Sequence, residues 1–366
     1  MTKIAVIGGG IFGLEAANQL VKAGFDVTLF ERNSQILSEA SGNSVMRVHI
    51  GAHYPRDLET AVQSRIGYSN FVEKYYDCLD FSFKNYYALA KYESKISKRY
   101  FKSFIQTAKL DLEEESNQEL KNLGFDINKV QGVWSCKEGV FDVPKLRNYF
   151  HNQFDNLGVL KLNSEITSAN RDKNFWILED ILKNKYKFDY VVRTTYGLDR
   201  IKSRDCQLQN RVFEFHKTLV LEIRIALPIF GITVLDGDFI TVLPRANSNT
   251  LLVYAPNPSV LQKFIGKNYP YQWDDLKFFD FELHKQSLVK RFRFWFPGIE
   301  SIAVKNHLHS IRSIMPNVIS TDKRTSQVRE ISPRFLDVWS GKMDHSISIG
   351  EQIVEKIITT RKNRVF

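Results

Sequence analysis

Lys3 to Ile7 is a short apolar run, Leu14 to Ala23 carries apolar residues at helical spacing and stops at Gly24, and Phe25 to Phe30 is a second apolar run ending at the acid Glu31. Short apolar runs bounded by glycine predict buried strands, and a 3.6-residue spacing predicts an amphipathic helix. The chain therefore begins with strand, glycine turn, helix and strand. Farther on, Leu58 to Tyr76 has helical spacing, and Phe81 to Tyr92 is rich in aromatics and reads as strand. Phe104 to Leu123 is charged and reads as helix, with the acidic run Asp111 to Glu115 as a solvated face. Gly139 to Pro144 predicts a turn into a helix running to about Leu157, followed by strand-like stretches at Val159 to Ile166 and Asn174 to Leu178. Phe188 to Gly197 reads as a buried strand that returns to the first sheet. Phe213 to Ala226, Phe230 to Leu243 and Thr250 to Tyr254 predict successive antiparallel strands, with turns at Asp236-Gly237 and Asn247 to Asn249. A helix is expected over Phe278 to Phe296, a strand over Phe335 to Trp339 and a last helix over Ser346 to Thr359.

The first turn carries the sharpest chemistry. Gly8, Gly9, Gly10 and Gly13 lie between the first strand and its helix. Gly8 lets the chain turn, Gly10 lets the backbone approach a pyrophosphate, and Gly13 lets the helix pack closely on the strand. The first amides of that helix, at Ile11 and Phe12, are unpaired and carry its positive dipole end, which suits phosphate. Glu31 at the tip of the second strand is placed to accept hydrogen bonds from ribose hydroxyls and argues against a 2′-phosphate, although Arg32 stands beside it.

At 366 residues the chain is long enough for two domains, and 43% hydrophobic content supports a sizeable core. No apolar stretch is long enough to span a bilayer, and the first apolar run is too short for a signal peptide. Cys78, Cys136 and Cys206 are widely spaced, with no metal-ligand or paired pattern, so no metal is expected and a reducing, cytoplasmic setting is. The net charge of +10 is spread along the chain. Its densest patch, Lys290 to Phe296, interleaves cations and rings. One such patch makes no nucleic-acid groove, so an amphipathic element is expected there and no nucleic-acid partner. A basic surface would also draw in an anionic small-molecule substrate.

Four segments then resemble the D-amino-acid-oxidase-like (DAO) family of FAD-dependent oxidoreductases: Val6 to Glu31, Ser41 to Pro55, Asp189 to Gly197, and Val338 to Glu351. The second segment is nearest in motif to the L-2-hydroxyglutarate dehydrogenase and glycine oxidase branches, through Ser41, Gly42, Asn43, Ser44, His49, Gly51, Tyr54 and Pro55. It departs from that pattern at Val45, where a glycine is usual, at His49, one residue late, and at His53, in place of an aromatic. The resemblance implies an α/β fold: a discontinuous Rossmann-like FAD-binding domain (1–80, 140–200 and 305–366) with an inserted antiparallel-sheet α+β substrate domain (81–139 and 201–304). It implies FAD as cofactor, with Ser41, Asn43, Ser44, Arg47, His49, Ile166 and Gly197 added to the glycine-turn residues, and Gly341, Lys342 and Met343 against the flavin ring.

Flavin dehydrogenation needs a substrate carbon over N5 and positive potential near N1 and C2=O. The start of the helix after His345 and the Lys342 ammonium are candidates for that potential. His49 has three readings: lining the active face, carrying a covalent flavin bond, or filling a structural place. His53 and Tyr54 are candidate proton-handling groups, and Arg47, Arg56 or Arg245 a candidate carboxylate fork, with Arg245 at the end of an inserted strand. The leading expectation is oxidation of a small amino acid, amine or 2-hydroxy acid by hydride transfer to FAD. The alternatives are an NAD(P)-dependent dehydrogenase and a non-catalytic flavoprotein.

Overall fold

The computed structural model describes all residues except 117, 158, 238, 317–322 and 363–366. Lys3–Ile7, Asp26–Phe30 and Tyr190–Arg193 are the apolar runs, and they form the centre of a six-stranded sheet. Its order runs Gln327–Ser332, Phe335–Trp339, Tyr190–Arg193, Lys3–Ile7, Asp26–Phe30, Leu160–Lys161. All neighbours are parallel except the first pair. Register places Val6 opposite both Leu29 and Val192. Every residue of Tyr190–Arg193 is buried, as a central parallel strand covered on both faces requires. So the chain returns to the first sheet at 188–197, as its sequence indicates.

The glycine-turn helix, Ile11–Lys22, packs on the last helix, Ser346–Lys362. Ala16 and Ala17 are fully buried on it, and Ile349, Ile353 and Ile357 are fully buried on the last helix, all in one apolar cluster. This pairing draws residues some 340 positions apart against the turn that faces the cavity.

A nine-stranded sheet forms the second layer. It is antiparallel except where Phe230–Leu235 runs parallel to Lys84–Ala90. Its strand Phe213–Arg224, second from one edge, pairs with three neighbours and buries Phe215, Leu219, Leu221 and Ile223. A small antiparallel sheet of Ile166–Asp172, Phe175–Asp180 and Lys185–Phe188 stands beside the first sheet.

Three expectations are corrected. Ala303–Ile314, taken with the cofactor segments from 305 onward, is a 12-residue strand along Phe213–Arg224 in the second sheet. Only its last half is buried, so the outer half reads as polar surface. Phe104–Leu123 is not one helix: the helix is Lys98–Ala108, and Lys109 adopts a left-handed φ of 53° that ends it. Glu113–Glu115 is a strand on Val130–Cys136, and Glu114 ion-pairs with both Lys98 and Lys102. On the strand Glu113 and Glu115 share one side and Glu114 takes the other, where it meets the two lysines. Third, Val159–Ile166 is strand only at Leu160–Lys161, with a further strand starting at Ile166. The basic aromatic patch lies on the helix Phe281–Trp295 and its end, with Phe292, Trp295 and Phe296 buried and Lys290 and Arg293 outward.

Candidate active site

The carboxyl ends of the central parallel strands open on a cavity of about 720 Å³, lined by Ile7 and Gly8, Phe30 and Glu31, and Thr194 and Thr195. That volume suits a bound small molecule, and the position is where open α/β sheets bind ligands. Gly8 has φ +111°, and a Cβ there would meet the Thr194 carbonyl at 3.0 Å. A Cβ at Gly13 would lie 1.9 Å from the Gly8 carbonyl oxygen, so the helix could not pack on its strand. A Cβ at Gly10 would meet only the Ser41 hydroxyl, at 3.3 Å. The backbone at Gly10 is therefore bare toward the cavity, as a pyrophosphate requires. Gly10, Ile11 and Phe12 line the cavity, and the Ile11 amide donates to the Ser41 hydroxyl at 3.2 Å.

Glu31 accepts from the Gly9 amide at 2.6 Å and from the Asn33 amide at 2.8 Å, and still faces the cavity. Burial lifts its pKa above the usual carboxylate value, against those two hydrogen bonds. Arg32 lines the same wall, donating to the Leu198 carbonyl and pairing with Glu39. Ile166 lies there too. Gly197 does not line the cavity: it has φ +74° and packs on the Phe213 ring. Gly13 lies behind the wall rather than in it.

The segment Ser41 to Tyr54 crosses to the second sheet. Ser41, Asn43, Ser44, Arg47, His49, His53 and Tyr54 all line the cavity. Arg47 is buried, donates to the Thr233 hydroxyl and stands 3.6 Å from buried Glu138. His49 is buried with Nδ1 unpartnered. Burial, then the neighbouring cations Arg47 and Lys342, hold its pKa well below the ordinary histidine value. The same causes, with Arg312 and Arg324 adding to the effect, hold the His53 pKa well below the ordinary histidine value.

Gly341, Lys342 and Met343 line the opposite wall. A Cβ at Gly341 would lie 1.7 Å from the Arg324 carbonyl oxygen, and the Gly341 amide donates to the Ser326 hydroxyl at 2.8 Å. This clamps the loop. The Lys342 ammonium sits 4.8 Å from the centre of the Tyr54 ring. Burial lowers its pKa, against the attraction of buried Asp344, whose own pKa burial raises. His345 bonds to Ser64 and Ser326 through its two ring nitrogens. Burial, then Lys342, pushes its pKa down to about 3, so it is a structural imidazole rather than a base.

Arg245 is the misplaced candidate. It does not line the cavity; its guanidinium pairs with Glu222 on Phe213–Arg224, one strand beyond its neighbour in the sheet. Arg56 lines the cavity but pairs with Asp236 at 2.9 Å. The arginine that sequence reasoning missed is Arg312, on the strand Ala303–Ile314, which faces the cavity and donates to the Tyr254 hydroxyl. Ser310, Arg312 and Ile314 share one face of that strand and all line the cavity, but its apolar residues Leu308, Ile311 and Ile314 fall three apart, so the sequence carries no period-two signal for it.

Comparison with known proteins places this geometry. Residues 3–332 match the FAD dependent oxidoreductase (DAO) family. The chain is 30% identical over 241 residues to the FAD-dependent monooxygenase FPY4 of Fusarium mangiferae, covering 66% of this chain and 60% of that protein. It is 38% identical over 73 residues to the FAD-dependent monooxygenase kojA of Aspergillus flavus, or 20% and 17% of the two chains. The matches thus span less than two thirds of either relative. In fold it resembles glycine oxidase from Geobacillus kaustophilus (TM-score 0.72, 13% identity, covering 97% and 94% of the two chains). It also resembles L-proline dehydrogenase from P. horikoshii (TM-score 0.70, 16% identity, 97% and 93%). With the family match running from the glycine turn through both sheets, this chain belongs to the DAO family of FAD-dependent oxidoreductases.

Proposed function

We propose that this flavoenzyme oxidises a small carboxylate-bearing amino acid, amine or 2-hydroxy acid by hydride transfer from the substrate carbon. Bound FAD supplies the hydride acceptor at N5. Gly8, Gly10, Ile11 and Phe12 hold the diphosphate, and Glu31 meets the adenosine ribose. Ser41, Asn43 and Ser44 line the approach to the ring. Lys342, with the helix start behind it, sets a positive potential where reduction places negative charge.

The observation that carries the substrate reading is Arg312 beside Tyr254. Both come from the second sheet, both line the cavity, and the guanidinium donates to the phenol oxygen. A fork held by a neighbouring phenol is pre-oriented for a carboxylate. The cavity also takes Val220, Leu235 and Phe239 from the second sheet and its hairpin, so the remainder of the substrate meets an apolar wall.

The test is an anaerobic screen of amino acids, N-methyl amines and 2-hydroxy acids, reading loss of flavin absorbance. Arg312→Met should raise KM for the best substrate by about a hundredfold, as loss of a charged hydrogen-bonded contact does, with flavin content retained. Arg245→Met should leave KM unchanged. The reading fails if no carboxylate compound bleaches the flavin, or if Arg312→Met keeps the original KM. A hydroxylated product without imine or 2-oxo acid would instead favour the monooxygenase chemistry named for the fungal relatives.

A further inference from the structure

Glu138 lies in the turn between the strands Val130–Cys136 and Val140–Phe141, is 2% exposed, and belongs to none of the sequence motifs. Four donors converge on it. The Ile50 amide donates at 2.8 Å, the Tyr87 hydroxyl at 2.8 Å and the Asn85 amide at 3.3 Å, while Arg47 Nε stands at 3.6 Å. The Ile50 and Asn85 amide groups and the Arg47 guanidinium can only donate, which favours the carboxylate form, against the burial that raises the Glu138 pKa. The backbone is built around it. Arg47 forms a bridge with Val140, and the Val48 amide donates to the Gly139 carbonyl, so the segment carrying Arg47 is laid across the segment carrying Glu138.

Arg47 passes the order on. One guanidinium nitrogen donates to Thr233, its plane lies over the Tyr87 ring, and NH2 faces His53 Nδ1 at 3.3 Å. A guanidinium only donates, so Nδ1 is the acceptor and the ring proton sits on Nε2, at the far end of the imidazole. We infer that Glu138 is a positioning residue that, through Arg47, fixes His53 as the neutral Nε2–H tautomer, a hydrogen-bond donor to the cavity and not its base. The groups facing His53 agree. Arg47, Lys342, Arg312 and Arg324 are the cations around it, and His49, Tyr54 and Phe239 are its ring neighbours. A second proton on the ring would meet Arg47 donor to donor.

The arrangement stands independently of the proposed oxidation; only the use of the donor, on substrate or flavin, rests on that reading. The test begins with 15N-histidine holoenzyme and long-range 1H–15N spectra at pH 6 to 8, with His53→Gln assigning the signal. A neutral ring protonated at Nε2 across this range is expected. Nδ1–H or imidazolium at neutral pH overturns the inference. Arg47→Met should give a mixture of tautomers, and Glu138→Asp should keep the original one. Glu138→Gln should lower kcat about tenfold or more with KM little changed, and should cost nothing further in a His53→Gln background. Additive losses in that background would overturn the coupling. Should Glu138→Gln fail to fold, the wild-type and Arg47→Met spectra decide. None of the spectra needs a substrate, so failure here and failure of the bleaching screen are separate results.

Discussion

Gly10 and Gly13 sit three residues apart in one turn and do different work. At Gly10 a side chain would project toward the cavity with only a rotatable hydroxyl near it; at Gly13 it would strike backbone. Gly10→Val should therefore purify folded, with unchanged circular dichroism, and colourless. Gly13→Ala should lose about 3 kcal/mol of stability, as overpacking against a fixed backbone does, whether or not flavin is present. Full flavin content in Gly10→Val would refute the assignment. Lys342 gives a second contrast. Burial and Arg47 depress its pKa, and Asp344 alone opposes them. Asp344→Asn removes that support, so Lys342 should lose its proton at lower pH and the alkaline limb of the kcat/KM profile should shift about one unit toward acid. A limb that stays in place removes Lys342 from the ionisations that matter. Turn residues of this kind were legible in the sequence because their reasons are local. Gly8 and Gly10 need only a strand before them and a helix after, and Glu31 only the end of the second strand. Arg312 was not legible, because its role depends on a strand pairing across some 90 residues, as did the pairing that took Arg245 away from the cavity.

At the scale of elements, the first sheet ends in a buried set of four charges. Arg193 on the returning strand bonds to Asp337 on its neighbour at 2.7 Å, and Arg211 bonds to both Asp337 and Asp199 at 2.7 Å. Burial pushes the Asp199 pKa up, but Arg211, Arg193 and the Thr195 hydroxyl outweigh it and hold it at about 2. A carboxyl depressed in the folded state stabilises the protein above its unfolded value, near 4. That stability is lost as pH falls from about 4 toward 2 and amounts to about 2 kcal/mol. Urea melts at pH 7, 5 and 3 should show about half of that loss between the last two, with the remainder below pH 3. Asp199→Asn should be about 3 kcal/mol less stable at pH 7, since it leaves buried guanidinium charge under-compensated, and should lack its share of the acid drop. An acid limb of unaltered slope would show that other carboxyls carry it. The sequence showed the strand Tyr190–Arg193 by its unbroken apolar run but gave no sign that its terminal arginine is buried. The acidic run Asp111 to Glu115 misled in the opposite way, since local charge density suggested a helix face where pairing with Val130–Cys136 makes a strand.

For the whole molecule, the cavity takes one wall from the parallel sheet and the other from the nine-stranded sheet. The glycine turn, Lys342 and Arg312 are brought together only when both sheets are formed, so FAD binds the folded chain and not the unfolded one. Linkage then fixes the size of the effect. Free FAD at a hundred times its Kd adds about 2.7 kcal/mol, and each further tenfold adds about 1.4 kcal/mol. A chain of this length unfolds with a large entropy, so each such step should raise Tm by about 2 °C. Flavin-stripped protein titrated with FAD should melt progressively higher in this way, and Gly10→Val should stay level over the same range. FMN separates the ends of the cavity: it lacks the adenosine half that the glycine turn and Glu31 are built to hold, so its steps should begin only at much higher concentration. If FMN stabilises the stripped protein as well as FAD does, the turn at Gly8 to Gly13 is not what grips the cofactor, and the polarity of the whole cavity has been read backwards.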